Sequence, residues 1–256
     1  MPPYGVIRAG WALHLKSLSM STFFVFVYLV MPVLLAAIAF YLFRNGARHV
    51  SLFEGALGTG MMGLWSTTLF GAGEALTRAR REGTLELMVL APTPLFYSVF
   101  AITLASATLG LYSIAATTLC AYLLFGVPIE IAQPGWFAAG LLVSVVSLGL
   151  LGVLLASFFF LYRYANALTN LLETPVWLLC GLLIPVALLP GWSVPVSWIL
   201  APTWGIETLR AAASGSDAVR PLLAEIGVGI AYLLLGLRVL GWVERLACVR
   251  ASLPLA

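Results

Sequence analysis

The sequence predicts an all-α integral membrane protein with six transmembrane helices. Composition is the first reason. Of 256 residues, 62% are hydrophobic and 9% are charged, and the mean hydropathy is +1.04. A soluble domain carries roughly 25% charged residues, so no globular core would hide this much apolar surface from water. The second reason is run length: several charge-free stretches reach the roughly 20 residues a helix needs to cross a bilayer. The third is that the few charges gather in short clusters between those stretches. No segment is polar and long enough to form a soluble domain, so residues 1–256 read as one membrane domain.

The elements follow in order. Residues 4–18 carry a helical apolar stripe of Tyr4, Ile7, Trp11, Leu15 and Leu18, with Arg8 and Lys16 off its centre. That pattern predicts a helix lying in the membrane interface. Phe23–Leu42 is charge-free and forms the first span, kinked at Pro32; it is too long for a signal-peptide core. Gly55–Gly73, bracketed by Glu54 and Glu74, is the second. The third runs over Leu95–Phe125, and the fourth over about Gly135–Tyr162. A polar turn, Arg163–Asn170, leads to a fifth over Leu171–Leu189. Residues 190–219 hold Pro190, Pro195 and Pro202 with Trp192, Trp198 and Trp204. Tryptophan favours the headgroup level, so this region is expected to lie on, or dip into, the outer surface. Leu222–Leu237 is the sixth span.

Six spans put both termini on one side. That side holds nine of the Lys and Arg residues (Arg8, Lys16, Arg78, Arg80, Arg81, Arg163, Arg238, Arg245, Arg250) and the other holds four (Arg44, Arg48, Arg210, Arg220). The excess makes the first side cytoplasmic. The expected location is therefore the inner, cytoplasmic membrane, with lipid as the surrounding partner.

Motifs for chemistry are sparse. Gly58-Thr-Gly60-Met-Met-Gly63 matches G-x-G-x-x-G, but it sits inside an apolar span instead of between a strand and a helix, so it is not a dinucleotide site. It belongs to a packing seam: Gly55, Thr59, Gly63, Thr67 and Gly71 recur every four residues on one helix face, where small side chains admit a neighbouring backbone. The chain has one lysine, Lys16, and no phosphate-binding loop, so it does not hydrolyse a nucleotide by that route. The three cysteines (Cys120, Cys180, Cys248) and two histidines (His14, His49) are scattered, with no metal-ligand spacing. Glu74, Glu173, Glu225 and Glu244 are placed at span ends as solvated anchors. No nucleic-acid partner is expected. A membrane-embedded lipid-modifying enzyme would need converging titratable groups at one surface, which the sequence lacks; it remains, with a non-transporting scaffold, the alternative class.

The densest charge cluster is Arg78, Arg80, Arg81, Glu82 and Glu86, within nine residues. Each such charge at mid-bilayer costs about 2.5–3.5 kcal/mol even on the mildest scale, so the segment lies in water. After the arginines, Glu82–Leu90 reads as a short amphipathic helix with Leu85, Met88 and Val89 on one side and Glu82 and Glu86 on another. Ala91-Pro-Thr-Pro94 ends it. Gly83 serves either a close approach or the turn into this helix.

Arg80-Arg-Glu-Gly-Thr-Leu-Glu-Leu-Met-Val-Leu-Ala-Pro92 resembles the cytoplasmic segment of type-two ATP-binding-cassette permeases. The order of interfacial helix, six spans and a Pro/Trp-rich region before the last span is similar over nearly the whole chain. The resemblance implies a transmembrane permease subunit of an exporter, with a cytoplasmic coupling helix within residues 78–92. A separate ABC ATPase subunit would dock on Arg80, Arg81, Glu82, Gly83, Thr84, Leu85, Glu86, Met88 and Val89. A second permease copy, or a paralogous permease, would complete the pathway. No cofactor is expected on this chain, since ATP and Mg belong to the ATPase. The family also implies a re-entrant region over residues 190–219. The cargo would be small and hydrophobic or amphipathic.

Overall fold

The computed structural model describes residues 3–20, 30, 33–34, 37–38, 40–41, 52–91, 93–161, 165–183, 186 and 189–250. Among them the regular elements are all helical. We number these α1 (Pro3–Ser19), α2 (Leu52–Arg81), α3 (Thr84–Leu90), α4 (Leu95–Phe125), α5 (Pro134–Leu161), α6 (Ala165–Leu179), α7 (Val194–Ile199), α8 (Ala201–Ser214) and α9 (Val219–Arg250).

Among the described residues, three helices are long and apolar enough to cross a membrane: α4, α5 and α9. They coincide with the third, fourth and sixth spans expected from sequence. Most of the first expected span, Phe23–Leu42, lies outside the described residues. The 30-residue α2 contains the second, and at 1.5 Å per residue it is about 45 Å long. Its glycines and hydroxyls lower its hydropathy because it is the central post of the bundle, packed against α4, α5, α6 and α8. Gly55, Thr59, Gly63, Thr67 and Gly71 are all buried. The Thr59 and Thr67 hydroxyls donate back to the Gly55 and Gly63 carbonyls, at 3.1 and 2.6 Å, so these polar groups need no partner outside the helix.

Small residues set how close the neighbours come. On the α4 side the two helices run antiparallel. A methyl on Gly60 would stand 2.7 Å from the Ile114 Cα, one on Gly110 would stand 2.8 Å from the Leu64 Cα, and one on Gly71 would strike the Ser106 hydroxyl. On the α6 side, also antiparallel, Gly73 faces Thr169 and Gly58 faces the Leu182 carbonyl, while Ser66 meets Glu173. Thus α2 carries two small-residue tracks, and backbone contact on both fixes its position. Helices α5 and α9 run parallel, joined through Ser147 against Gly229 and Val153 against Gly236.

The expectation for the fifth span changes. The fifth span was expected over Leu171–Leu189, but α6 starts within the supposed polar turn and stops at Leu179. Gly181, at φ 71°, is the cause: a left-handed glycine ends a helix at little cost. Just beyond the helix end, the carbonyls of Gly181 and Leu182 accept the two Arg210 Nη groups at 3.0 and 3.1 Å. Pro195 and Pro202 occupy the first turns of α7 and α8, where a missing N–H costs nothing, so they start helices. Helix α8 buries Ile206, Thr208 and Leu209 and packs among α5, α9 and α2. The Tyr232 hydroxyl of α9 donates to the Ile199 carbonyl at 2.5 Å and accepts the Ala201 N–H at 3.3 Å, fixing the α7–α8 corner.

Candidate functional site

The charged cluster folds as a helical corner at one end of the α2–α4 pair. Helix α2 ends with the Glu82 N–H on the Arg78 carbonyl at 2.9 Å and the Gly83 N–H on that of Arg80 at 3.3 Å. Gly83 then takes φ 66°, ψ 9°, a left-handed conformation that costs other L-residues about 1–2 kcal/mol. A methyl added at Gly83 would meet nothing within 4 Å. The glycine therefore serves the entry turn, which settles the choice the sequence left open. The Thr84 hydroxyl reaches back to the Ala79 carbonyl at 3.2 Å and fastens the start of α3 to α2. At the far end Ala91 and Pro94 are extended, at ψ 146° and 134°, and α4 begins at once.

Helix α3 touches α2, α4 and α9. Arg81, Glu82, Gly83 and Thr84 are exposed. Arg78 pairs with Glu74 at 2.9 Å, both about half exposed, and Arg80 is half-buried. Met88 turns inward, packs on the apolar core and lines a cleft with Val6 and His14 of α1. The side chains of Leu85, Glu86 and Val89 lie outside the described residues. Leu87 and Leu90 stand out into the surroundings, 68% and 77% exposed. Sequence reasoning missed that pair, although their i, i+3 spacing places them on one side of the helix.

Helix α1 supports the corner. Its Trp11 N–H donates to the Thr108 hydroxyl of α4 at 3.1 Å, and Gly10 meets Ala101. The stripe through Ile7, Trp11, Leu15 and Leu18 is half-buried or buried, whereas Tyr4 and Leu13 are exposed. His14 is shielded from water and lies near Arg78. Burial first, and the Arg78 charge second, lower its pKa from 6.5 to about 4, with Glu74 opposing.

Two glutamates read as solvated anchors at span ends sit instead against serines of neighbouring helices. Glu225 is fully buried and accepts the Ser144 hydroxyl at 2.7 Å; its other oxygen has no partner among the described residues. Glu173 is half-buried and accepts the Ser66 hydroxyl at 2.7 Å, in the middle of α2 instead of at its end. Both were misplaced because span ends drawn from hydropathy alone ignore helix-to-helix register. Among the described residues no three His, Cys, Asp or Glu side chains gather to hold a metal ion.

No curated protein matches the chain. The family model described as ABC-2 type transporter matches residues 7–213, which takes in nearly all of α1, the charged corner and the whole course through α8. With its long apolar helices, the chain is an integral membrane protein, and it belongs to the ABC-2 type transporter family as a transmembrane permease of an ABC-type transporter.

Proposed function

We propose that this permease belongs to an exporter whose ATP hydrolysis takes place in a separate ATPase subunit, and that α3 is the helix on which that subunit docks. The observation that carries the reading is the corner itself. A short helix tied to the ends of two long helices by a left-handed glycine and an extended proline presents two leucines to its surroundings. Exposed apolar side chains flanked by charges fit a partner groove that buries the leucines and pairs the charges at its rim. Arg81, Glu82 and Thr84 supply that rim, with Arg80, Gly83, Leu85, Glu86, Met88 and Val89 completing the segment.

In this reading α2 and α6 also cross the bilayer, the undescribed segment before α2 supplies a further span, and six spans place both termini and the α3 corner in the cytoplasm. Helix α1 lies at the inner interface, and α7–α8 form the outer re-entrant unit. Two permease copies, or one copy and a paralogue, enclose the pathway. Co-expression with a cognate ATPase tests the reading: it should co-purify with the wild-type permease and turn over ATP only in the complex. Failure to co-purify, or ATP turnover by the rigorously purified permease, refutes it.

A further inference from the structure

We propose that Glu173, on the uncovered side of α6, is a recognition site for an organic cation, such as a protonated amine or quaternary ammonium on an apolar body, carried as cargo. This deepens the transport reading and rests on it.

Depth is the first observation. Glu173 is fastened to Ser66, which lies twelve residues from Glu54 and twelve from Arg78, or about 18 Å along the helix from each. With α2 crossing the bilayer, the carboxylate stands near the membrane midplane.

Exposure is the second. Glu173 is only half-buried, and its neighbour Thr174 is exposed. They form a polar patch at a depth where lipid tails offer no hydrogen bonds. Ionisable groups there face the protein interior or a water-filled cavity and mark transport pathways. Pro175, one residue further, has no N–H and so withdraws the donor that the Leu171 carbonyl would otherwise receive. The patch therefore gathers acceptors: a carboxylate and a main-chain carbonyl.

Charge complementarity is the third. Among the described residues no cation stands against Glu173; its named partner is the Ser66 hydroxyl. The Ser66 hydroxyl holds one carboxylate oxygen and leaves the other accepting capacity open. A divalent metal is a poor occupant, since no cluster of ligands accompanies this carboxylate among the described residues. An ammonium needs only the charge and a few acceptors. Trp177, one helical turn on, adds an aromatic group on the same side. Close packing of Thr169 on Gly73 and the Ser66 hydrogen bond hold α6 against α2, so the carboxylate is positioned before any cargo arrives.

The test is equilibrium binding of rhodamine 6G, a cationic dye, and Nile red, an uncharged one, to the purified permease in lipid nanodiscs. Glu173→Gln should weaken rhodamine 6G by about tenfold or more, the scale of a lost charge-assisted contact, and leave Nile red unchanged; Glu173→Asp should recover part of the affinity. Equal affinity of wild type and Glu173→Gln for rhodamine 6G overturns the proposal. So does a loss of self-association in Glu173→Gln with unchanged dye affinity, which would assign the patch to a second copy of the chain. ATPase co-purification is measured on the same samples. Its failure in the wild type counts against the transport reading, whereas retained co-purification with unaltered dye binding counts only against Glu173.

Discussion

Replacing Leu87 by aspartate should detach the ATPase while leaving the permease folded. Complete burial of a leucine side chain is worth about 1.5–3 kcal/mol. Leu87 is already about one-third covered, being 68% exposed, so about 1–2 kcal/mol remains for a partner to gain. Aspartate forfeits that and brings a carboxylate that the groove must desolvate, so the total loss should exceed about 1.4 kcal/mol, or tenfold in Kd. Glu86→Gln alters a rim charge worth about 0–1 kcal/mol and should weaken docking by less than about fivefold. Exposed substitutions of this kind shift stability by about 0.5 kcal/mol or less, so the thermal midpoint of Leu87→Asp should match wild type. Met88→Asp is the contrasting case: Met88 packs on the core, and its replacement should destabilise the permease before docking is considered. The assay is titration of the ATPase onto nanodisc-embedded permease, with cargo export in parallel. If Leu87→Asp binds the ATPase with wild-type Kd and exports normally, α3 is not the docking helix.

Four further outcomes are expected. Gly83→Ala should cost about 1 kcal/mol through its φ of 66° with no steric clash, and Gly83→Asn should cost less; equal stability of all three would show that the turn relaxes freely. Gly60→Ala puts a methyl 2.7 Å from the Ile114 Cα and should destabilise by about 1–3 kcal/mol, whereas Gly227→Ala, with nothing within 4 Å, should be neutral or slightly stabilising; denaturant titration distinguishes them. The His14 pKa is lowered to about 4 by burial and Arg78, so the unfolded chain takes up a proton first as pH falls. Stability should be constant above about pH 6.5, decline towards about pH 4 and level below it; a His14→Gln variant that keeps the same slope would remove this assignment. Cysteines introduced at positions 78–86 should be labelled from the cytoplasm only, and labelling from outside alone would invert the topology.

How much was legible follows from which forces hold each part. Helices α4, α5 and α9 were readable because their residues answer to lipid, and hydropathy measures that directly. The α3 corner was readable because Gly83, the clustered charges and Pro94 each act within a few residues of chain. The end of α6 was not readable. Beyond Thr174 the stretch to Leu189 is apolar with no charge to mark its end, and the break at Gly181 is held by Arg210, 29 residues away in sequence. Nor was the setting of Glu173 and Glu225, because each is defined by a serine on another helix, Ser66 and Ser144. The inward turn of Met88 and outward turn of Leu87 were also hidden, since the direction of a seven-residue helix depends on what lies beside it.

The backbone-to-backbone seats between α2 and α4 bear on mechanics. Gly60 on Ile114 and Gly110 on Leu64 leave no compliant side-chain layer between the two rods, so they pivot together and do not slide. If α3 is the docking helix proposed above and α2 crosses the bilayer, a force applied at α3 reaches the opposite membrane face as rotation of a stiff lever. Over the length of α2, a tilt of about 10° displaces the far end by about 8 Å. In that reading, modest work at the corner would be geared up into a larger travel at the far end.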